Sequence, residues 1–219
     1  MTNRIILHAG MHKTGTTALQ SALAATGSGP GWEYLNFKVP NASNIIAQAY
    51  ARQKRPQNGL PQPSYAHDPE EARSLIKSRL SASDAHLALI SGETLRHLTA
   101  SVLNDFMTAC RGNVPTLESI EAVIYVRAPL SFLQASYQQR LQTRFIPISR
   151  LIEPDRLNYA KQFVSLEQAV GPERVRYRPY LRDRFPEKSV IKDFATWLEL
   201  GSIQESTAST NRGLSSEAV

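Results

Sequence analysis

The chain has 219 residues, of which 42% are hydrophobic and 20% charged, and this composition is typical of one compact globular domain. The formal net charge of +6 favours an anionic partner such as a nucleotide, a nucleic acid or an anionic glycan. The sequence has no long run of Lys and Arg and no aromatic-and-basic RNA-binding signature, which disfavours nucleic acid. No apolar segment approaches the roughly 20 residues that span a bilayer.

Two further features predict a soluble, cytoplasmic protein. The apolar stretch at residues 5–7 is too short for the core of a signal peptide. Cys110 is the only cysteine, which excludes an internal disulfide and fits a reducing compartment. Its neighbours Phe106 and Met107 predict a buried helical thiol rather than a nucleophile.

The first half of the chain begins with a short apolar run at residues 4–8, which predicts a buried strand. A turn rich in Gly and Thr follows, and apolar residues at helical spacing over 17–23 predict a helix. A second helix is predicted at 44–52, and the Pro-rich segment 54–68 predicts an irregular loop. Asp68, followed by proline and two acids, is typical of a helix start.

The second half alternates apolar strands with helices. The predicted strands are 87–90, 122–126 and 174–180, and the predicted helices are 95–110, 129–142, 159–169 and 189–200. This alternation predicts a three-layer α/β/α fold with a central parallel sheet. We expect one domain over residues 1–200. The Ser/Thr-rich tail 201–219 is expected to be weakly ordered or to close over a ligand.

The turn after the first strand has the residue types that bind phosphate. Glycines let the backbone turn and approach a ligand, threonines add hydroxyl donors, and a lysine adds positive charge. The segment reads Gly10-Met11-His12-Lys13-Thr14-Gly15-Thr16-Thr17. In the triphosphate loop G-x-x-x-x-G-K-[ST] a lysine follows the second glycine, whereas Thr16 follows Gly15 here and Lys13 precedes it.

The order Lys-Thr-Gly-Thr-Thr after a first strand resembles the 5′-phosphosulfate loop of the sulfotransferases. Residues 12–20 look most like the small bacterial members of that family. The resemblance implies a P-loop NTPase-like sulfotransferase fold. It implies 3′-phosphoadenosine 5′-phosphosulfate (PAPS) as donor, 3′-phosphoadenosine 5′-phosphate (PAP) as product, and no metal. The reaction implied is in-line transfer of a sulfuryl group to a hydroxyl or amine of a glycan, a lipid or a small molecule.

The resemblance also implies a site for the 3′-phosphate of the donor. In the family an arginine at the end of a later strand binds this group, and Arg127 at the end of the strand 122–126 is similar to it. A surface ion pair is the alternative for Arg127. The family serine lies eight residues after the arginine, where this chain has Ala135, and Ser136 follows one residue later, roughly 100° around a helix. Either Ser136 reaches the phosphate, or Ser131 or water replaces it.

Two residues are candidates for the group that takes the proton of the acceptor. Glu93 directly follows the second predicted strand, and Ser-Gly-Glu resembles a Ser-Ser-Glu segment of bacterial relatives. His12 is the rival because it lies in the loop and has a suitable intrinsic pKa. Alternatively, His12 could donate a hydrogen bond to a phosphate oxygen of the donor or to the acceptor. A carboxylate that caps the next helix is the alternative for Glu93, and His8 is predicted to be a core histidine.

The tail segment 211–215 resembles a stretch late in bacterial relatives, so the resemblance implies that Arg212 helps to cover the nucleotide. Two other functions stay open on the sequence. One is a phosphotransferase or NTPase with an unusual loop, which would depend on magnesium. The other is a non-catalytic nucleotide-binding module.

Overall fold

The computed structural model describes residues 1–51, 68–143 and 158–205. The described part contains one six-stranded sheet in the order β2-β3-β4-β1-β5-β6. Every neighbouring pair is parallel except β2 with β3. The strands are Arg4–Ala9 (β1), Ser28–Gly29 (β2), Trp32–Tyr34 (β3), Leu87–Gly92 (β4), Ser119–Val126 (β5) and Val175–Pro179 (β6).

Helices cover both faces of the sheet. They are Thr16–Thr26 (α1), Ser43–Tyr50 (α2), Pro69–Ala82 (α3), Ala100–Asn113 (α4), Pro129–Thr143 (α5), Tyr159–Val170 (α6) and Val190–Trp197 (α7). Alternate residues of β1 point to opposite faces, as the two-residue period of a strand requires. Ile5 and Leu7 pack against α2, α3, α4 and α6, whereas Ile6 packs against α1 and α7. This arrangement confirms the predicted three-layer α/β/α fold.

The sheet differs from the prediction at one edge. The sequence analysis missed β2 and β3, which are two and three residues long. Strands this short carry no alternating pattern that could be read from the sequence. The central strands are parallel as predicted, and the antiparallel β2 is an addition at the edge.

The helix predicted over residues 95–110 is wrong at its start. A single 3₁₀ turn, Leu95–His97, comes first, and α4 begins at Ala100. Thr99 is extended and its hydroxyl accepts a hydrogen bond from the amide of Val102, so Thr99 is the N-cap of α4. The polar residue inside the apolar pattern therefore starts a new helix.

Cys110 lies on α4 with none of its surface exposed, which confirms the predicted buried thiol. Burial raises the pKa of this thiol to about 12, so it stays protonated and unreactive.

Part of the predicted tail belongs to the core. Ile203 is buried beside α1 and α7, and the amide of Gln204 donates to the hydroxyl of Thr26 over 3.0 Å. Residues 206–219, with Arg212, lie outside the described residues, as does the predicted loop up to residue 67. No helix of the described part is long and apolar enough to cross a membrane.

The core on the α4 side predicts a large cost for cavity formation. Leu103 is fully buried, so Leu103→Ala should lower the free energy of unfolding by about 3 kcal/mol. The matched control is Leu130→Ala on α5, where the leucine is 69% exposed and the change should stay within about 0.5 kcal/mol. Urea denaturation measures both, and equal losses would contradict the assigned packing.

Candidate functional site

The carboxyl ends of four parallel strands meet at one edge of the sheet. Ala9 at the end of β1 is in register with Gly92 of β4, and Val126 at the end of β5 is in register with Pro179 of β6. The segments that leave these strands therefore share the crevice where ligands bind in open α/β sheets. They are the Gly10–Thr17 loop, Glu93, Arg127 and Tyr180.

The backbone of the loop has the geometry of an anion-binding nest. Lys13 and Gly15 adopt left-handed conformations, with φ of 67° and 75°. His12, which precedes Lys13, and Thr14, which lies between the two, have negative φ. Such alternation turns successive N–H groups toward one side. Gly15 is also the N-cap of α1, so the positive end of the helix dipole faces the same place. The predicted phosphate loop thus has a conformation suited to an anion.

The threonine hydroxyls brace the loop from inside. Thr14 Oγ1 donates to the carbonyl of Met11 over 2.6 Å, and Thr16 Oγ1 donates to the same carbonyl over 3.3 Å. Both threonines and Met11 are buried, whereas Thr17 is exposed. Because the carbonyl of Met11 holds two of the hydroxyls, a direct role of the threonines on a phosphate stays a prediction.

Both glycines of the loop occupy places where a side chain would collide. A Cβ on Gly10 would lie 2.5 Å from the side chain of Thr16, and a Cβ on Gly15 would lie 2.8 Å from Val190 Cγ1 of α7. Real Cβ contacts are not this short, so the bare backbone is part of the loop's packing.

A buried arginine that the sequence analysis missed connects the loop to β4. Arg96 is 3% exposed, and its Nη1 donates to the carbonyls of Gly10 (2.6 Å) and Glu93 (3.0 Å). Its Nε donates to Gln162 of α6. Burial lowers the pKa of Arg96 only to about 10, so the group stays charged near neutral pH. Nothing in the local sequence distinguishes this arginine from a solvated one.

The two candidate bases are in contact. His12 Nδ1 lies 2.6 Å from Glu93 Oε1. The hydrogen bond with His12 lowers the pKa of Glu93, and the positive charges of Arg96 and Lys13 act in the same direction against burial. The helix-cap alternative for Glu93 does not hold for α4, because Thr99 caps that helix.

Two positively charged residues, Lys13 and Arg127, lie next to each other at the crevice. Arg127 Nη1 donates to the carbonyl of Lys13 over 2.6 Å, and its guanidinium lies 5.5 Å from the ring centroid of Tyr180. Burial, together with the charge of Arg127, lowers the pKa of Lys13, and Glu93 partly offsets this. Within the described ranges, the side-chain hydrogen bonds of Arg127 go to two neutral groups, the carbonyl of Lys13 and the hydroxyl of Ser131. The role of Arg127 on a phosphate stays a prediction.

The guanidinium of Arg127 contacts the hydroxyl of Ser131. Arg127 Nε donates to Ser131 Oγ over 2.6 Å, at the first turn of α5. Ser136 lies further along the same helix and is partly exposed. Which serine would reach a 3′-phosphate stays a prediction, as does the role of Arg212.

His8 lies directly beneath the loop and is 2% exposed, which confirms it as a core histidine. Its Nδ1 is 2.8 Å from Ser91 Oγ, which also accepts a hydrogen bond from Gln20. Burial lowers the pKa of His8 to about 4, so it is neutral under ordinary conditions.

Among the described residues, no group of three or more His, Cys, Asp or Glu side chains gathers as it would around a metal ion. A groove of about 670 Å³ lies away from the crevice, near the amino ends of β3 and β4. Arg79 and Glu33 form an ion pair in its wall. The loop, Glu93 and Arg127 do not line this groove, so it is separate from the candidate site.

No protein-family model and no curated protein matches this sequence. Among solved structures, the chain is similar to a sulfotransferase from Alicyclobacillus acidocaldarius at 14% identity and a TM-score of 0.45, covering 96% of this chain and 87% of that one. It is also similar to the sulfotransferase domain of the curacin biosynthetic pathway, at 16% identity and a TM-score of 0.42, covering 92% of this chain and 75% of that one. A shikimate kinase from Bacteroides thetaiotaomicron is similar at 14% identity and a TM-score of 0.43, covering 91% of this chain and 100% of that one. The sulfotransferases and the kinase resemble this chain to about the same degree, so the similarity does not decide between their reactions.

The contact between the loop and α7 predicts how Gly15→Ala behaves. Gly15 and Gly27 both have positive φ, but open space surrounds Gly27. Each alanine variant should lose roughly 1 kcal/mol of unfolding free energy from its left-handed backbone. Gly15→Ala should lose a further ~1–3 kcal/mol by overpacking against Val190. Denaturant titration checks this; adding Val190→Ala should remove the collision, and equal losses for the two single variants would contradict it.

Burial of His8 predicts a loss of stability in acid. The unfolded residue takes a proton below about pH 6.5, and the folded one only below about 4. Between these values protonation favours the unfolded chain, so stability should fall by roughly 3 kcal/mol as the pH falls. His8→Gln should weaken the dependence of stability on pH. The control His86→Gln, at an exposed site, should leave it unchanged. Urea denaturation at several pH values measures both. Identical pH slopes in both variants would rule out the assigned role.

Proposed function

We propose that this chain is a sulfotransferase that uses PAPS as its donor. The observation that carries the proposal is the hydrogen bond from Arg127 to the carbonyl of Lys13. This bond joins a guanidinium to the phosphate loop at one edge of the sheet. Two neighbouring anion sites suit a nucleotide that has phosphate groups at two positions of its ribose.

The loop fits the 5′ end of the donor. The N–H groups of the nest, the N-terminus of α1 and the Lys13 ammonium all favour negative charge. A Cβ at Gly10 or Gly15 would collide with Thr16 or Val190, so the conformation of this loop depends on both glycines. PAPS supplies an activated sulfuryl group when bound.

Arg127 fits the 3′-phosphate. Its forked donors suit a phosphate, and Ser131 or Ser136 on α5 would add a hydroxyl. The ring of Tyr180 and the carbonyl of Lys13 hold the guanidinium in place. Arg212, which lies outside the described residues, would help to cover the nucleotide, as the resemblance implies.

The reaction is an in-line displacement at sulfur. The acceptor oxygen forms a bond to sulfur while the bond from sulfur to the 5′-phosphate oxygen breaks and its electron pair leaves on that oxygen. Lys13 and the loop N–H groups stabilise the developing negative charge. The contact pair His12–Glu93 takes the proton that the acceptor loses. The acceptor is a hydroxyl or amine of a glycan, a lipid or a small molecule.

Nucleotide binding tests the proposal. Calorimetry should show that PAP binds without metal and more tightly than ATP with magnesium. Lys13→Ala should weaken PAP binding about 10- to 100-fold, because it removes a charge-assisted contact. The control Lys77→Ala removes an exposed lysine of α3 and should leave the affinity unchanged. If the protein binds ATP with magnesium but does not bind PAP, the result favours an NTPase. If it binds PAP tightly but transfers no sulfuryl group from PAPS, the result favours a nucleotide-binding module.

A second variant tests the 3′-phosphate site separately. Arg127→Lys keeps a positive charge but loses the forked donors, so PAP should bind about 10-fold more weakly. Adenosine 5′-phosphate lacks the 3′-phosphate, and its affinity should change little. If both nucleotides lose affinity equally, Arg127 does not read the 3′ position.

A further inference from the structure

In the hydrogen bond between His12 and Glu93, one residue donates and the other accepts, and this difference separates their roles. His12 comes from the phosphate loop and Glu93 from the end of β4, and Nδ1 and Oε1 are 2.6 Å apart. The imidazole is the more accessible of the two, with 48% of its side chain exposed against 27% for Glu93. Among the described residues, no hydrogen-bond partner is found for the other ring nitrogen, Nε2, so this nitrogen is open to an acceptor.

The proton on this hydrogen bond belongs to His12. The bond with His12 and the charges of Lys13 and Arg96 lower the pKa of Glu93, so near neutral pH it is a carboxylate that can only accept. Nδ1 must then carry the hydrogen. In the neutral ring this leaves the lone pair on Nε2, which is the state of an imidazole that acts as a general base.

Given that the chain is a sulfotransferase as proposed above, we propose that Nε2 of His12 takes the proton of the acceptor and that Glu93 is a positioning residue. The acceptor oxygen forms its bond to sulfur, its hydrogen moves to Nε2, and the electron pair of the broken sulfur–oxygen bond leaves on the 5′-phosphate. Glu93 holds the ring through Nδ1 and stabilises the imidazolium that results.

Arg96 fixes this pair relative to the phosphate loop. The same nitrogen, Nη1, donates to the carbonyl of Gly10 at the start of the loop and to the carbonyl of Glu93. The amide of Glu93 donates to Asn41 Oδ1, which holds the other side of the residue. The backbone of Glu93 is thus held at both ends, so its carboxylate can orient a ring that lies on a different segment.

The charged groups around His12 come from three elements. Glu93 contacts the ring directly, and Lys13 of the loop and Arg96 of the 3₁₀ turn lower the pKa of the Glu93 carboxyl. His97, with its ring 6.4 Å away, has a pKa lowered to about 4 by burial and is neutral near pH 7. Removal of the Glu93 carboxylate should therefore remove the acceptor that holds the hydrogen on Nδ1 of His12.

The tautomer of His12 is measured directly by nitrogen NMR of ¹⁵N-histidine-labelled protein. We expect the hydrogen on Nδ1 in the wild type and a loss of this preference in Glu93→Ala, because no carboxylate then accepts from Nδ1. His12→Gln assigns the signals, and His86→Gln, at an exposed site outside the candidate site, is the control whose spectrum of His12 should be unchanged. A hydrogen on Nε2 in the wild type, or a tautomer that Glu93→Ala leaves unchanged, overturns the proposal.

Kinetics test the chemical role, with PAPS as donor and phenol, which keeps its proton near neutral pH, as probe acceptor. His12→Ala should lose about 100-fold or more of kcat with PAP affinity retained, and external imidazole should restore part of the activity. Glu93→Gln should lose less and should keep the acid limb of the pH–rate profile, because the imidazole that takes the proton is still present. A His12→Ala variant that keeps more than a tenth of the kcat, or an acid limb that persists in His12→Ala and disappears in Glu93→Gln, makes Glu93 the base and overturns the proposal.

The two proposals fail in different measurements. If the wild-type protein does not bind PAP and releases none from PAPS, the proposed function is wrong and this assignment falls with it. If the wild type transfers sulfuryl groups and only the variants behave otherwise than expected, the proposed function stands and the assignment of His12 is wrong.

Discussion

The buried guanidinium of Arg96 is the constraint on which the geometry of the crevice depends. The carbonyls of Gly10 and Glu93 lie just beyond the ends of β1 and β4, and Arg96 donates to both. A buried charge is costly unless hydrogen bonds satisfy it. Two carbonyls and Gln162 accept from this one, so the same bonds that make burial tolerable also set the spacing of two loops. Because His12 lies in one loop and Glu93 follows the other strand, their contact depends on this spacing.

The other support of the phosphate loop is α7. Val190, the first residue of α7, packs where a side chain on Gly15 would be, so the position of the helix limits the shape of the loop. Asp193 fixes the helix to the sheet, because its carboxylate accepts hydrogen bonds from Tyr125 of β5 and from two nitrogens of Arg178 of β6. Asp193 is nearly fully buried, so solvent competes little for these bonds. The nest is thus held by a helix that follows it by about 180 residues in the chain.

Prediction from the sequence succeeded where a pattern is local and long. The strands β1, β4 and β5 each contain a continuous apolar run, and they were predicted within a few residues because a strand buried on both faces is mostly apolar. It failed where an element is too short to show a period, as in β2 and β3. It also failed at Thr99, whose side chain can sit inside a helix or cap one; only the extended backbone there decides between the two.

The sequence by itself determined which residue types form the Gly10–Thr17 loop, because glycines, threonines and a lysine between a strand and a helix are a local pattern. The hydroxyl bonds of Thr14 and Thr16 are equally local, since both end on the carbonyl of Met11. Only the tertiary structure decided that His12 meets Glu93, that Arg96 is buried between two loops, and that Arg127 bonds to Ser131 and Lys13. Apart from the bond to Ser131, these contacts join segments about 80 to 115 residues apart, and their distances follow from the packing of strands and helices rather than from any spacing along the chain.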